Sequence, residues 1–134
     1  MGFKDISQIA GSAMAAQTVR MNTIASNLAN ANAVAGTEAG AYRARKPVFA
    51  ALVGDAGTAS VQVLDVVQSA DPVRKVYEPG NPLADAEGMV VYSNVNSVAE
   101  MADMMSASRA FETNVEVLGR IKSMQQSLLK LGEA

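Results

Sequence analysis

The sequence predicts a mainly α protein. Long N- and C-terminal helices pair as an antiparallel, coiled-coil-like hairpin, and short antiparallel strands fill the centre. Three observations lead there. Apolar residues recur at helical spacing at both ends of the 134-residue chain. β-branched runs and the punctuating Gly and Pro residues gather in the middle. Aromatic residues make up only 4% while alanine takes 24 positions. A compact globule normally fills its centre with aromatic bulk. Small side chains suit closely packed helices instead. The expected division is residues 1–34 as the N-terminal helix, 35–95 as an extended loop and small β region, and 96–134 as the long last helix.

The first helix is expected over residues 5–31. Met14, Met21 and Leu28 recur every seven residues, and Ala10, Gln17, Ile24 and Ala31 form a second row. No proline interrupts the stretch, and alanine is the best helix former. Asp5 stands where an N-cap belongs. The stripe is narrow, as in a helix–helix seam. Residues 32–47 then break the period with Gly36, Gly40 and Pro47.

Val48–Val53 and Val61–Val67 read as strands, with Gly54, Asp55 and Gly57 as the turn between them. Val73–Tyr77 and Met89–Tyr92 are two weaker strand candidates around the loop Glu78–Gly88. One antiparallel patch of three or four strands is expected, too small to stand without a helix or a neighbour.

The helical period returns at Asn96 and lasts to Leu131. Met101, Met104, Ser108, Phe111, Val115 and Leu118 alternate three and four apart, and Ile121, Leu128 and Leu131 prolong the line. Asn96 or Ser97 can cap it, and Glu100 and Lys130 match the dipole at its two ends. Such a helix is about 50 Å long, more than a domain of this size encloses. Its leftover apolar surface favours lateral association, so a polymer subunit is expected.

Composition narrows the chemistry. There is no cysteine and no histidine, so disulfides, thiolate metal sites and every Ser-His or Cys-His dyad are excluded. No GxxxxGK[ST] or GxGxxG motif occurs. The carboxylates Asp71, Glu78, Asp85 and Glu87 lie near the prolines without aromatic sugar platforms, which argues against glycosidase chemistry. Net charge is −2, spread as 0, −1 and −1 over residues 1–40, 41–97 and 98–134, so no basic patch for nucleic acid is expected. The N-terminus lacks the cationic and unbroken apolar regions of a secretory signal, and the longest apolar run, Val48–Val53, is far short of a membrane span. No cofactor, metal, small-molecule substrate or membrane insertion is expected.

Two segments carry a family resemblance. SNLANANAVAG at Ser26–Gly36 with AYRARKPVF at Ala41–Phe49, and NVNSVAEMADMMSASRAFETNVEVLGRIKSM at Asn94–Met124, resemble the terminal signatures of bacterial flagellar rod and hook axial proteins. NPLADAEG at Asn81–Gly88 and the chain length point to a proximal-rod member. The resemblance implies a structural subunit, exported through the flagellar type III apparatus without a cleaved signal. It would polymerise helically around the export channel in the periplasm and pass motor torque to the hook. The implied partners are further copies of itself and the rod proteins FlgB, FlgF, FlgG and FliE. A sister axial subunit resembling FlgB, or a helical adaptor that does not polymerise, would fit many of the same residues.

The candidate subunit interface is Met14, Met21, Ile24 and Leu28 on the first helix, with Met101, Met104, Phe111, Val115, Leu118 and Ile121 on the last. Methionine fills gaps against non-identical neighbours. The same stripe also reads as ordinary helix core. Asn27, Asn30, Arg43, Arg45 and Arg109 are candidate polar contacts between subunits. For the asparagines the alternative is a helix C-terminus and turn. For Arg43 and Arg45 it is a solvated loop, and for Arg109 an exposed pair with Glu112 or Glu116.

Overall fold

The computed structural model describes residues 1–133. Residue 134, the end of the expected third segment, lies outside the described residues. The element order is α1 (Phe3–Ala29), β1 (Val34–Ala35), β2 (Arg45–Val53), β3 (Ala59–Gln68), β4 (Arg74–Tyr77), β5 (Met89–Tyr92) and α2 (Ser97–Gly132).

α1 starts two residues before the expected helix, which moves Asp5 from the N-cap into the first turn. Gly2 is the cap, and the Asp5 carboxylate accepts the Gly2 N–H at 2.9 Å. An acidic side chain there also suits the helix dipole. At the far end Asn30 caps the helix, and its Nδ2 donates to the Ser26 carbonyl at 2.9 Å. α2 opens on Asn96, whose Oδ1 accepts the Ala99 N–H at 3.2 Å. Its 36 residues span about 54 Å.

The strands form two sheets, not one patch. β2 and β3 make a two-stranded antiparallel hairpin with a bulge at Val48/Phe49. β5 is the centre of a second sheet in the order β1-β5-β4, all antiparallel. β1 is only two residues long and shows no alternation, so it left no signal in the sequence. β3 turns its outer edge to α1 at Val61, whose N–H donates to Ser12 Oγ at 3.0 Å. Gly57 in the hairpin turn has φ 74°, a left-handed geometry that favours glycine. Gly88 before β5 has φ 78°, and a Cβ there would meet the Tyr77 ring at 2.8 Å.

α1 is the spine: α2 packs against it, and so does the β2–β3 hairpin. Ala31 and Val95, just outside the two helices, pack together with Ala44 and Tyr42 in the small core at the junction. α1 therefore enters this junction and α2 leaves it. Above it Arg20 meets Asp103 at 3.6 Å. Val90 of β5 and Ser93 are fully buried beside the junction.

Candidate assembly surfaces and the junction beneath them

On α2 one line of residues turns toward α1. Glu100, Ala107 and Ile121 are buried, and Met104, Phe111, Asn114 and Leu118, on the same line, are half-buried. The intervals run four, three, four, three, as in a coiled-coil seam. Met104, Phe111, Leu118 and Ile121 lie on this line. Met101 and Val115 do not: they are exposed, at 57% and 46%. The buried second column runs one position ahead of the apolar one. Hydropathy prefers Met101 to Glu100 and Val115 to Asn114, but backbone rotation puts the polar residue of each pair inside.

On α1, Ala10, Ala16, Thr23, Ile24 and Asn27 are buried, while Met14, Met21 and Leu28 are half-buried. Burial spreads around this helix because it is covered on two sides. Ile24 and Ile121 are consumed inside the chain. Three apolar surfaces remain uncovered. One is the outer face of early α2, with Val98, Met101 and Met105. The second is the end of α2, where every residue from Lys122 to Glu133 is exposed, including Met124, Leu128, Leu129 and Leu131. The third is the hairpin, with Val53 and Leu64 most exposed. Soluble monomers rarely leave apolar groups uncovered in such clusters.

The junction is polar and internally satisfied. Asn27 is 1% exposed. Its Nδ2 donates to the Arg45 carbonyl at 2.8 Å, and its Oδ1 accepts from the Arg45 N–H and the Tyr42 hydroxyl, both at 2.9 Å. Asn27 therefore ties elements of one chain together, and Asn30 is the helix cap described above. Arg45 lies 5.8 Å from the centre of the Tyr42 ring, within cation–π range. Arg43 donates to the Asp71 carbonyl at 2.9 Å. Arg109 is exposed and forms no ion pair among the described residues; the pair on this stretch is Arg120–Glu116 at 3.0 Å.

Sequence reasoning missed three residues that build the junction and one that ties the hairpin to α1. Ser93 Oγ donates to the Ala31 carbonyl at 3.0 Å. Asn94 accepts the Ala44 N–H at 2.7 Å and donates to the Asp71 carbonyl at 2.9 Å. Arg74 donates to the Ser93 carbonyl at 3.3 Å and lies 5.5 Å from the Tyr92 ring centre. Ser12 closes the β3 edge. These are side-chain-to-backbone bonds between residues far apart in sequence, which no local pattern announces.

Two pairs of groups have shifted acidity. The Tyr92 hydroxyl donates to Glu78 at 2.7 Å, which lowers the carboxylate below its usual range with help from Asn81, and raises the phenol. Lys75 at 2.7 Å lowers Glu38 and is itself raised. Both pairs are at the surface. Among the described residues no three acidic side chains gather to hold a metal ion, and no helix is long and apolar enough to cross a membrane. Asp85 instead accepts the Glu87 and Met89 N–H groups at 2.9 Å each, as a turn does.

Comparison with known proteins gives a consistent picture. Residues 8–36 match the family described as flagella basal body rod protein, and residues 86–131 match flagellar basal body rod FlgEFG protein C-terminal. Proteins named flagellar basal-body rod protein FlgC are similar along the whole chain. The one from Escherichia coli O6:H1 is 50% identical over 134 residues, covering 99% of this chain and 100% of its own. That from Salmonella typhimurium strain LT2 is 50% identical over 135 residues, with the same shares. That from Yersinia enterocolitica is 45% identical over 135 residues, again covering 99% and 100%.

Proposed function

The chain belongs to the flagellar basal-body rod protein family, and on that premise we propose how it builds the rod. It is a structural subunit of the flagellar basal body, and its family is not enzymatic. It works by assembling with other rod components. α1 and α2 pair as an antiparallel, coiled-coil-like hairpin, supported by the shared junction and the four–three spacing of the seam. Residues 1–34 and 96–134 are the axial core, and residues 35–95 form the outer β region. The subunits polymerise helically around the export channel, in the periplasm, beside FlgB, FlgF, FlgG and FliE. The chain reaches that place through the type III export apparatus without a cleaved signal, and the rod carries torque from motor to hook.

The single observation that carries this reading is the uncovered end of α2. Twelve consecutive residues, Lys122–Glu133, lie exposed beyond the last buried seam residue, Ile121. Leu131 is 73% exposed. An adaptor that stays alone would leave this apolar helix bare in water, whereas a packed neighbour removes it. Interlocked side chains sit in discrete minima and so resist sliding, which is what a drive shaft requires. The candidate interface is therefore Met101 and Val115 with the α2 end, and the half-buried rims Met14, Met21, Leu28, Met104, Phe111 and Leu118. Arg109 adds a charged contact at its edge, while Arg43 and Arg45 are engaged within the chain by the Asp71 carbonyl and the Tyr42 ring.

The test is genetic and biochemical. Cells lacking the chain should not swim, and a tagged copy that restores swimming should co-purify with hook–basal bodies. Normal swimming without the chain, or its recovery only as a soluble monomer, would defeat the reading.

A further inference from the structure

We propose that Ser12 and Asn27 form a two-point clasp that holds the β2–β3 hairpin in one orientation along α1. They are then the positioning residues for a docked arm that the subunit presents to its neighbours. The inference rests on the rod-subunit reading for its functional consequence, but not for its geometry.

At the base of the arm, the Asn27 amide binds both the N–H and the carbonyl of Arg45. This is the two-bond pattern by which an adjoining β-strand would pair with Arg45. A helix side chain thus stands in for a strand where β2 begins. Further along α1, Ser12 Oγ donates to the Ile9 carbonyl at 2.8 Å, which orients it, and accepts the Val61 N–H at 3.0 Å. Both ties reach backbone atoms, so they fix where the ribbon lies and not merely how one side chain packs.

The spacings agree. Ser12 and Asn27 are fifteen residues apart on a helix, about 22 Å at 1.5 Å per residue. Val61 pairs with Ala51, which lies six residues from Arg45, about 20 Å along a strand. Ribbon and helix therefore match in length between the two ties, across the bulge at Val48/Phe49. Polar ties matter here because apolar packing is thin. Val48, Phe49, Leu52, Val53, Leu64, Val66 and Val67 are all exposed on this hairpin. An isolated two-stranded ribbon is marginally stable, and its direction relative to the helices is set by whatever holds its edge.

The chain has no cysteine, so paired spin labels can be placed cleanly. With labels at Asp55→Cys on the arm tip and Glu112→Cys on the exposed side of α2, the full-length native sequence should give one narrow distance. Ser12→Ala with Asn27→Ala should broaden it, while helical circular dichroism is retained, and swimming should be lost. A tether should restore both. Gln8 and Leu52 line the same cleft between α1 and the arm tip, so an oxidised Q8C/L52C pair in the double variant should narrow the distance and recover swimming. An unchanged distance in the double variant would overturn the clasp. A broadened distance with normal swimming would overturn its functional role and leave the rod reading intact. Failure of the formed tether to restore swimming would show that the alanines act by destabilising the subunit, and would equally overturn the proposal.

Discussion

Replacing Leu128 and Leu131 with Asp separates folding from assembly. Leu128 is 54% exposed and Leu131 is 73% exposed in the single chain. Neither side chain supports the α1–α2 seam, which ends at Ile121. Surface substitutions away from packed features change stability by about 0.5 kcal/mol or less. The double variant should therefore unfold at nearly the native temperature. Assembly is another matter. Full burial of a leucine is worth roughly 1.5–3 kcal/mol. Between half and three-quarters of each side chain is still available for burial, so the two together contribute about 2–4 kcal/mol to each contact. That corresponds to roughly a 30- to 700-fold loss in association constant. The paired assays are thermal unfolding of the purified chain and swimming of cells that carry only the variant. A native-like melting curve with loss of swimming is expected. A melting temperature lowered by ten degrees or more, or normal swimming, would refute the reasoning that this helix end is a surface kept for neighbours.

Hydrogen exchange on the dilute chain should show protected amides in α2 up to Ile121 and fast exchange beyond it; uniform protection to the C-terminus would count against an uncovered end. Ala107→Leu should destabilise the chain by about 1–3 kcal/mol in urea titrations, because Ala107 is fully buried in the seam and a larger side chain must push the helices apart. Tyr92→Phe should raise Glu78 toward the usual carboxylate range in a carboxyl NMR titration, with the Asn81 bond still in place. The folded-state value is depressed, so the Tyr92 bond stabilises the native chain at neutral pH. That contribution is lost as pH falls through and below the carboxylate range. An unchanged Glu78 titration in the variant would rule out the hydrogen bond as the cause.

Repetition along the chain made the helices, four strands and the family legible. Met104, Phe111, Leu118 and Ile121 lie on the α1-facing line because a 3.6-residue period is a local property of backbone geometry. β5 falls on Met89–Tyr92 as expected, because its flanking Gly88 and its β-branched residues are also local signals. The hairpin is equally local, two runs joined by a short glycine turn. What the sequence could not settle was any choice between neighbours of similar period. Glu100 and Met101 are one step apart, and only the packed helix shows that the carboxylate faces in and the methionine out. The same holds for Asn27. Its residue type permitted a turn, a cap or a contact with another subunit, and the decision lay with Arg45 and Tyr42, fifteen or more residues away. A period along one chain fixes which residues share a face. Which face is covered, by what, and which polar groups are consumed in covering it depends on distant segments meeting in space, and so belongs to the tertiary structure.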